Sequence, residues 1–135
     1  MTLMAWNDGL SVKVQQFDSQ HKELVAIINE LHESMKDGNS TEIIGTTLDR
    51  LISYTATHFF EEEQLMDSHD YPDSVTHKAA HECLIQQVLE LQQMFKTGKA
   101  IMTLDVMMFL RDWLMGHILI VDKKYGAFLN SKGVA

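Results

Sequence analysis

One proline (Pro72), one cysteine (Cys83) and seven glycines in 135 residues leave this chain few ways to interrupt a helix and none to close an internal disulfide. A lone cysteine suits a reducing compartment. Positive charge is scarce too: 11 Lys and Arg against 19 Asp and Glu give a formal net charge of -8. Such a surface repels phosphate backbones and anionic lipid, which argues against nucleic acid and membranes as partners. No apolar run approaches the ~20 residues of a spanning helix. The N-terminal MTLMAWNDGL lacks the basic-then-apolar order of a secretory signal, so a cytoplasmic location is expected. Repeats, low-complexity tracts and Pro/Gly/Ser-rich linkers are missing as well. What remains is 45% hydrophobic and 22% charged, enough to build the core of one domain over residues 1–135.

After an N-terminal arm (residues 1–17), four segments carry apolar residues at spacings of three and four, the period of an amphipathic helix. The first begins at Asp18, an N-cap candidate, carries His21, Leu24, Ile28, Leu31 and Met35, and stops at Asp37-Gly38-Asn39. The second starts at Ser40 or Thr41 and ends at Ser68-His69-Asp70; its stripe includes Leu48, Leu51, Thr55, His58, Glu62 and Leu65. The third opens at Pro72 or Asp73, shows His77, His81, Leu84, Val88, Leu91 and Phe95, and is closed by Gly98. The fourth opens near Thr103 and runs through Val106, Leu110, Trp113, His117 and Ile120 or Val121 to about Phe128. Helices of matched length joined by short breaks predict an all-α, up-down-up-down antiparallel four-helix bundle over about residues 18–128.

Histidine and carboxylate stand where leucine should be. His21, His58, Glu62, His77, His81 and His117 lie on the inward stripes, and burying such groups is costly unless something satisfies them together. A metal centre does so, because imidazole and carboxylate are both ligands. His77 and His81, like His58 and Glu62, are one helical turn apart and can converge on one ion. In an antiparallel bundle all six fall toward the same end. Asp122 completes the set, but five residues after His117 it sits about 140° round an ideal helix. A π-bulge near 117–122 would bring it back. Five imidazoles and two carboxylates exceed what one ion accepts. Two ions bridged by both carboxylates, with three His on one and two on the other, account for all of them. A bridging hydroxide or oxide then leaves one open coordination position for a small ligand.

Asp18-x-Gln20-His21 with Leu24, HFFEEEQLM from His58 to Met66, Tyr71-Pro72 with His77-x3-His81, and His117-x4-Asp122 followed by Lys123-Lys124-Tyr125 together resemble the hemerythrin family. The similarity is to its bacterial single-domain members, the bacteriohemerythrins. Trp6 and Leu10-Ser11-Val12 look like that family's N-terminal arm. The resemblance implies two iron ions with an oxo or hydroxo bridge. His77, His81 and His117 would hold the six-coordinate iron, His21 and His58 the five-coordinate one, and Glu62 and Asp122 would bridge them. It further implies reversible O2 binding for storage, transport or delivery, with O2 held as hydroperoxide on the five-coordinate iron.

The ligand set itself points to binding rather than oxidation. Carboxylate-rich di-iron oxidases surround their metal with more anions and use Glu-x-x-His on two helices, whereas no His here follows a Glu by three residues. Leu24, Phe59, Trp113, Leu114 and Ile118, each within a turn of a proposed ligand, are candidates for a water-excluding lining of the O2 pocket. The competing readings are an O2 or redox sensor module signalling through a separate protein, a di-iron enzyme handling peroxide or nitric oxide, and a zinc-stabilised structural bundle. An oxygen-consuming enzyme is the expected partner, and a monomer is expected because no further apolar stripe stands out. His32, His69, Glu61 and Glu63 read as residues outside the site, the two glutamates as a solvated face. Cys83 and Trp113 read as packing residues.

Overall fold

In a computed structural model, which describes residues 3–38, 41–98 and 104–135, the chain is an all-α four-helix bundle preceded by an arm. Helix α1 spans Gln15–Lys36, α2 Thr41–Ser68 and α3 Ser74–Lys96. The fourth rod is continuous: α4 (Leu104–Gly116) passes through a π-helical segment (His117–Asp122) into α5 (Lys123–Ser131). Gly38 and Gly98 sit just past α1 and α3 at φ 67° and 75°, left-handed positions where glycine ends a helix without strain. The predicted helix starts at Ser40 and Thr103 lie outside the described residues.

Two boundaries differ from the sequence reading. Helix α1 begins at Gln15, with Val14 as an N-cap that makes no side-chain bond. Asp18 is therefore inside the first turn, where its carboxylate accepts from Val12 N–H (2.8 Å) and from Ser11 Oγ. The acid fastens the arm rather than capping its own helix. The third helix starts at Ser74, after Pro72 and Asp73 have made the turn.

The core collects the apolar stripes: Leu24, Ile28, Leu31, Leu48, Leu51, Leu84, Val88, Met107, Leu110 and Leu114 are all buried. Leu10, Val12 and Val14 of the arm are buried with them. The arm crosses α5 at Gly126, where an added Cβ would overlap the Val12 carbonyl oxygen and stand 3.1 Å from its carbon. Alanine ordinarily stabilises a helix interior over glycine by about 0.5–1 kcal/mol. Here the clash is with backbone, so Gly126→Ala is expected to destabilise the fold by about 2 kcal/mol. Thermal melting should show a drop of several degrees where an unhindered helix would show a rise.

Cys83, read as a packing residue, is exposed, since it faces away from the His77/His81 stripe. His32, read as lying outside the site, is buried on α1 at 8% exposure. Trp113 is only half-buried against the core. Val75 and Ile120 stand in solvent at 81% and 74% exposure, apolar surface that the stripe pattern did not disclose. Among the described residues no helix is long and apolar enough to cross a membrane.

Candidate metal centre

All seven polar residues singled out from the sequence meet at one end of the bundle. His21 comes from α1, His58 and Glu62 from α2, His77 and His81 from α3, and His117 and Asp122 from the two ends of the π segment. Each is buried, none more than 6% exposed. The π segment explains how residues five apart share a face. Lys123 N–H bonds to Ile118 O, five residues back, so the turn is widened and Asp122 returns beneath His117. His117 Nε2 and Asp122 Oδ1 are 3.1 Å apart.

The donor atoms fall into two overlapping groups. Glu62, His77, His81, His117 and Asp122 form one, and His21, His58, Glu62 and Asp122 the other; within each, one ligand atom per residue lies within 4.8 Å of all the rest. The two carboxylates are common to both. Asp122 Oδ1 faces His77 and His117 Nε2 at 3.1 Å, while its Oδ2 faces His21 Nε2 at the same distance. Glu62 Oε1 faces His81 and His77 at 3.1 and 3.7 Å, and Oε2 faces His58 at 3.6 Å.

Hydrogen bonding does not account for this packing. Both oxygens of Glu62 and Asp122 and the Nε2 atoms of His21, His58 and His77 are buried without a hydrogen-bond partner among the described residues. His81 and His117 turn Nε2 toward each other at 3.2 Å. For His58 and His81 the tautomer follows from the other ring nitrogen. His81 Nδ1 lies 3.0 Å from Glu63 Oε2, and His58 Nδ1 meets Gln20 Oε1. Those oxygens only accept, so Nδ1 carries the proton and the Nε2 lone pair points inward. Inward lone pairs facing carboxylate oxygens repel unless a cation lies between them. The donor set fits two such ions.

Protonation tells the same story for the side chains alone. Burial, with the Asp122 charge beside it, pushes the Glu62 carboxyl up to about 8. Burial would also raise Asp122, but His117, His21 and His77 around it hold it well below the usual range. Burial opposes a charge on His77, yet the Asp122 and Glu62 carboxyl groups facing its Nε2 outweigh that and lift it to about 9. Burial lowers His58 to about 3, helped by His21, and His81 to about 2, helped by His117. Glu62 and His77 thus hold protons where metal ions would otherwise supply the positive charge.

An apolar layer lies directly behind the donors. A cavity with about 20 Å³ open to a water-sized molecule is lined by Leu24, Thr55, Leu84, Trp113 and Leu114, among others. Leu24, Thr55, Leu84 and Leu114 each stand three residues from His21, His58, His81 and His117 respectively, so the four helices contribute equivalent positions. Of the five lining candidates, Leu24, Trp113 and Leu114 border this cavity. Phe59 instead stacks on His81 at 3.7 Å between ring centres, and Ile118 is fully buried within the π segment.

Some participants were not legible in the pattern. Glu61 and Glu63, read as a solvated face, are half-buried and make specific bonds: Glu63 to His81, and Glu61 to the amide nitrogen of Gln20. Tyr125, fully buried, donates its hydroxyl to the Glu62 backbone carbonyl at 2.7 Å, which fixes α2 at the level of the site. Position beside a ligand was the available signal for Glu61 and Glu63. For Tyr125 it was an aromatic residue one turn beyond Asp122.

Residues 12–129 match the family model described as the hemerythrin HHE cation binding domain. A bacteriohemerythrin of Methylococcus capsulatus is 40% identical over 132 residues, covering 97% of this chain and all of that protein. A hemerythrin-like protein of Naegleria gruberi is 31% identical over 92% of each chain. A wild-type hemerythrin crystal structure superposes with a TM-score of 0.89 at 40% identity, covering 94% of this chain and 98% of the other. The crystal structure of a hemerythrin L114A mutant gives 0.91 at 39%.

Proposed function

Since this chain belongs to the hemerythrin family, we propose that it binds O2 reversibly at a pair of non-haem iron ions and acts as a carrier rather than an enzyme. One observation supports this above the others. Buried nitrogen and oxygen atoms without hydrogen-bond partners among the described residues converge from all four helices in two groups that share Glu62 and Asp122. In this reading His77, His81 and His117 hold one ion, His21 and His58 the other, and the two carboxylates span both. An iron pair held by these residues would supply a place for O2 to bind and the electrons for holding it reversibly. The protein's own part is to keep water and protons away. Leu24, Leu114 and the half-buried Trp113 provide an apolar wall, and a site of low polarity disfavours the charge separation that would make oxidation irreversible. Phe59 adds an aromatic face flat against His81. The reading extends to a cytoplasmic carrier that delivers O2 to an oxygen-consuming enzyme.

The test is direct. The purified protein is loaded with ferrous iron under argon, its iron content is measured, and oxygen is admitted and then removed. The expected result is two irons per chain and a visible charge-transfer band that appears with oxygen and disappears on degassing. Irreversible bleaching with release of a product would make it an enzyme. Zinc retention with no visible band would make the centre structural.

A further inference from the structure

The two donor groups are backed by side chains of different charge. His81, in the three-histidine group, has its outward Nδ1 3.0 Å from the Glu63 carboxylate, whose side chain is 32% exposed. His58, in the two-histidine group, has its Nδ1 on the amide oxygen of Gln20, and Glu61 fixes that amide by accepting from its nitrogen. The outward nitrogens of His21 and His77 have no hydrogen-bond partner among the described residues. The pairing is therefore selective: a carboxylate stands behind one group and a neutral amide behind the other.

An acceptor on the far nitrogen of a ligating imidazole orients the ring and increases its donor strength. A carboxylate does so more than an amide, because it draws the N–H proton harder and adds negative charge. We propose that Glu63 and Gln20 are positioning residues that make the two halves of the centre electronically unequal. Glu63 strengthens His81 and so favours the higher oxidation state in the three-histidine half. Gln20 holds His58 in place without that added donation. Glu61 has the supporting task of fixing which end of the Gln20 amide faces the imidazole. The inference rests on the di-iron reading above.

Two variants test it in the iron-loaded full chain, with the midpoint potential and the rate of oxidation in air as readouts. Glu63→Gln keeps an acceptor of the same reach but removes the charge. It is expected to keep the wild-type iron content, to raise the midpoint potential and to slow oxidation roughly ten-fold. Gln20→Glu combined with Glu61→Gln exchanges the roles of that pair while preserving a bond between them, and should move the potential in the opposite direction. A merely structural role would not move it in opposite directions. Melting of the metal-free variants reports folding separately. Unchanged potentials in both variants at full iron content would overturn the proposal. A wild-type protein that takes up no iron would instead overturn the di-iron reading.

Discussion

Glu62→Gln is expected to abolish the paired-ion site and, in the same molecule, to stabilise the metal-free fold. The amide matches the carboxyl in shape but carries no charge and bridges two cations poorly. Since losing a group behind a ligand already costs about 10–100-fold in metal affinity, losing the shared ligand should cost more than about 100-fold. Iron per chain after gel filtration should fall from two toward none. The stability change has the opposite sign. In the metal-free fold Glu62 holds its proton up to about 8, against 4.5 in the unfolded chain. A folded pKa raised in this way means that stability is complete below 4.5 and is lost as pH rises toward 8. At pH 7 the loss is about 3 kcal/mol. Glutamine does not titrate and escapes it. His77, lifted to about 9 by Asp122 and Glu62 against its own burial, gives back part of the gain because glutamine cannot share a proton with it as the Glu62 carboxyl can. The net gain at pH 7 should be about 1–2 kcal/mol, or about 4–6 °C in melting temperature, fading to nothing near pH 4.5. A variant that keeps two irons per chain would refute the bridging role. One whose metal-free melting is unchanged at pH 7 would refute the burial cost.

That trade-off is also why so much of the site was legible. A buried acid costing several kcal/mol is conspicuous in a stripe of leucines, and Glu62 and the five histidines stood out on those grounds alone. Even the π segment was readable, because an ideal helix could not bring Asp122 under His117. Residues that work at little energetic cost left no such mark. Glu63 and Gln20 are polar residues near the surface, where polar residues are ordinary, and only tertiary packing shows what they touch. Asp18 was misread for a related reason. An acid near the start of an apolar stripe has the pattern of an N-cap, but its partners, Ser11 and Val12, belong to the arm. Period and spacing describe a helix face, not what folds back onto it.

Leu114→Asp should leave the seven donors in place and remove what protects them. Leu114 is 2% exposed, stands one turn before His117, and borders the cavity behind the donors. A carboxylate there cannot remain both charged and dry, since burial without partners costs several kcal/mol. The less bulky side chain also enlarges a space that already has about 20 Å³ for a water-sized molecule. Water is therefore expected to follow the charge into the layer next to the centre, where it supplies protons and stabilises separated charge. The loaded, reduced protein should oxidise in air at least about ten-fold faster, that is, with a barrier lower by about 1.4 kcal/mol or more. Leu114→Ala separates polarity from space. It should cost about 2–5 kcal/mol of stability through its cavity, yet change the oxidation rate much less because its lining stays apolar. First-order decay of the oxygen-dependent band, followed at equal iron content, compares the three proteins. Equal rates in wild type and Leu114→Asp would mean that water is excluded elsewhere, and would move the barrier to Phe59 and Trp113, the rings stacked on His81 and His117.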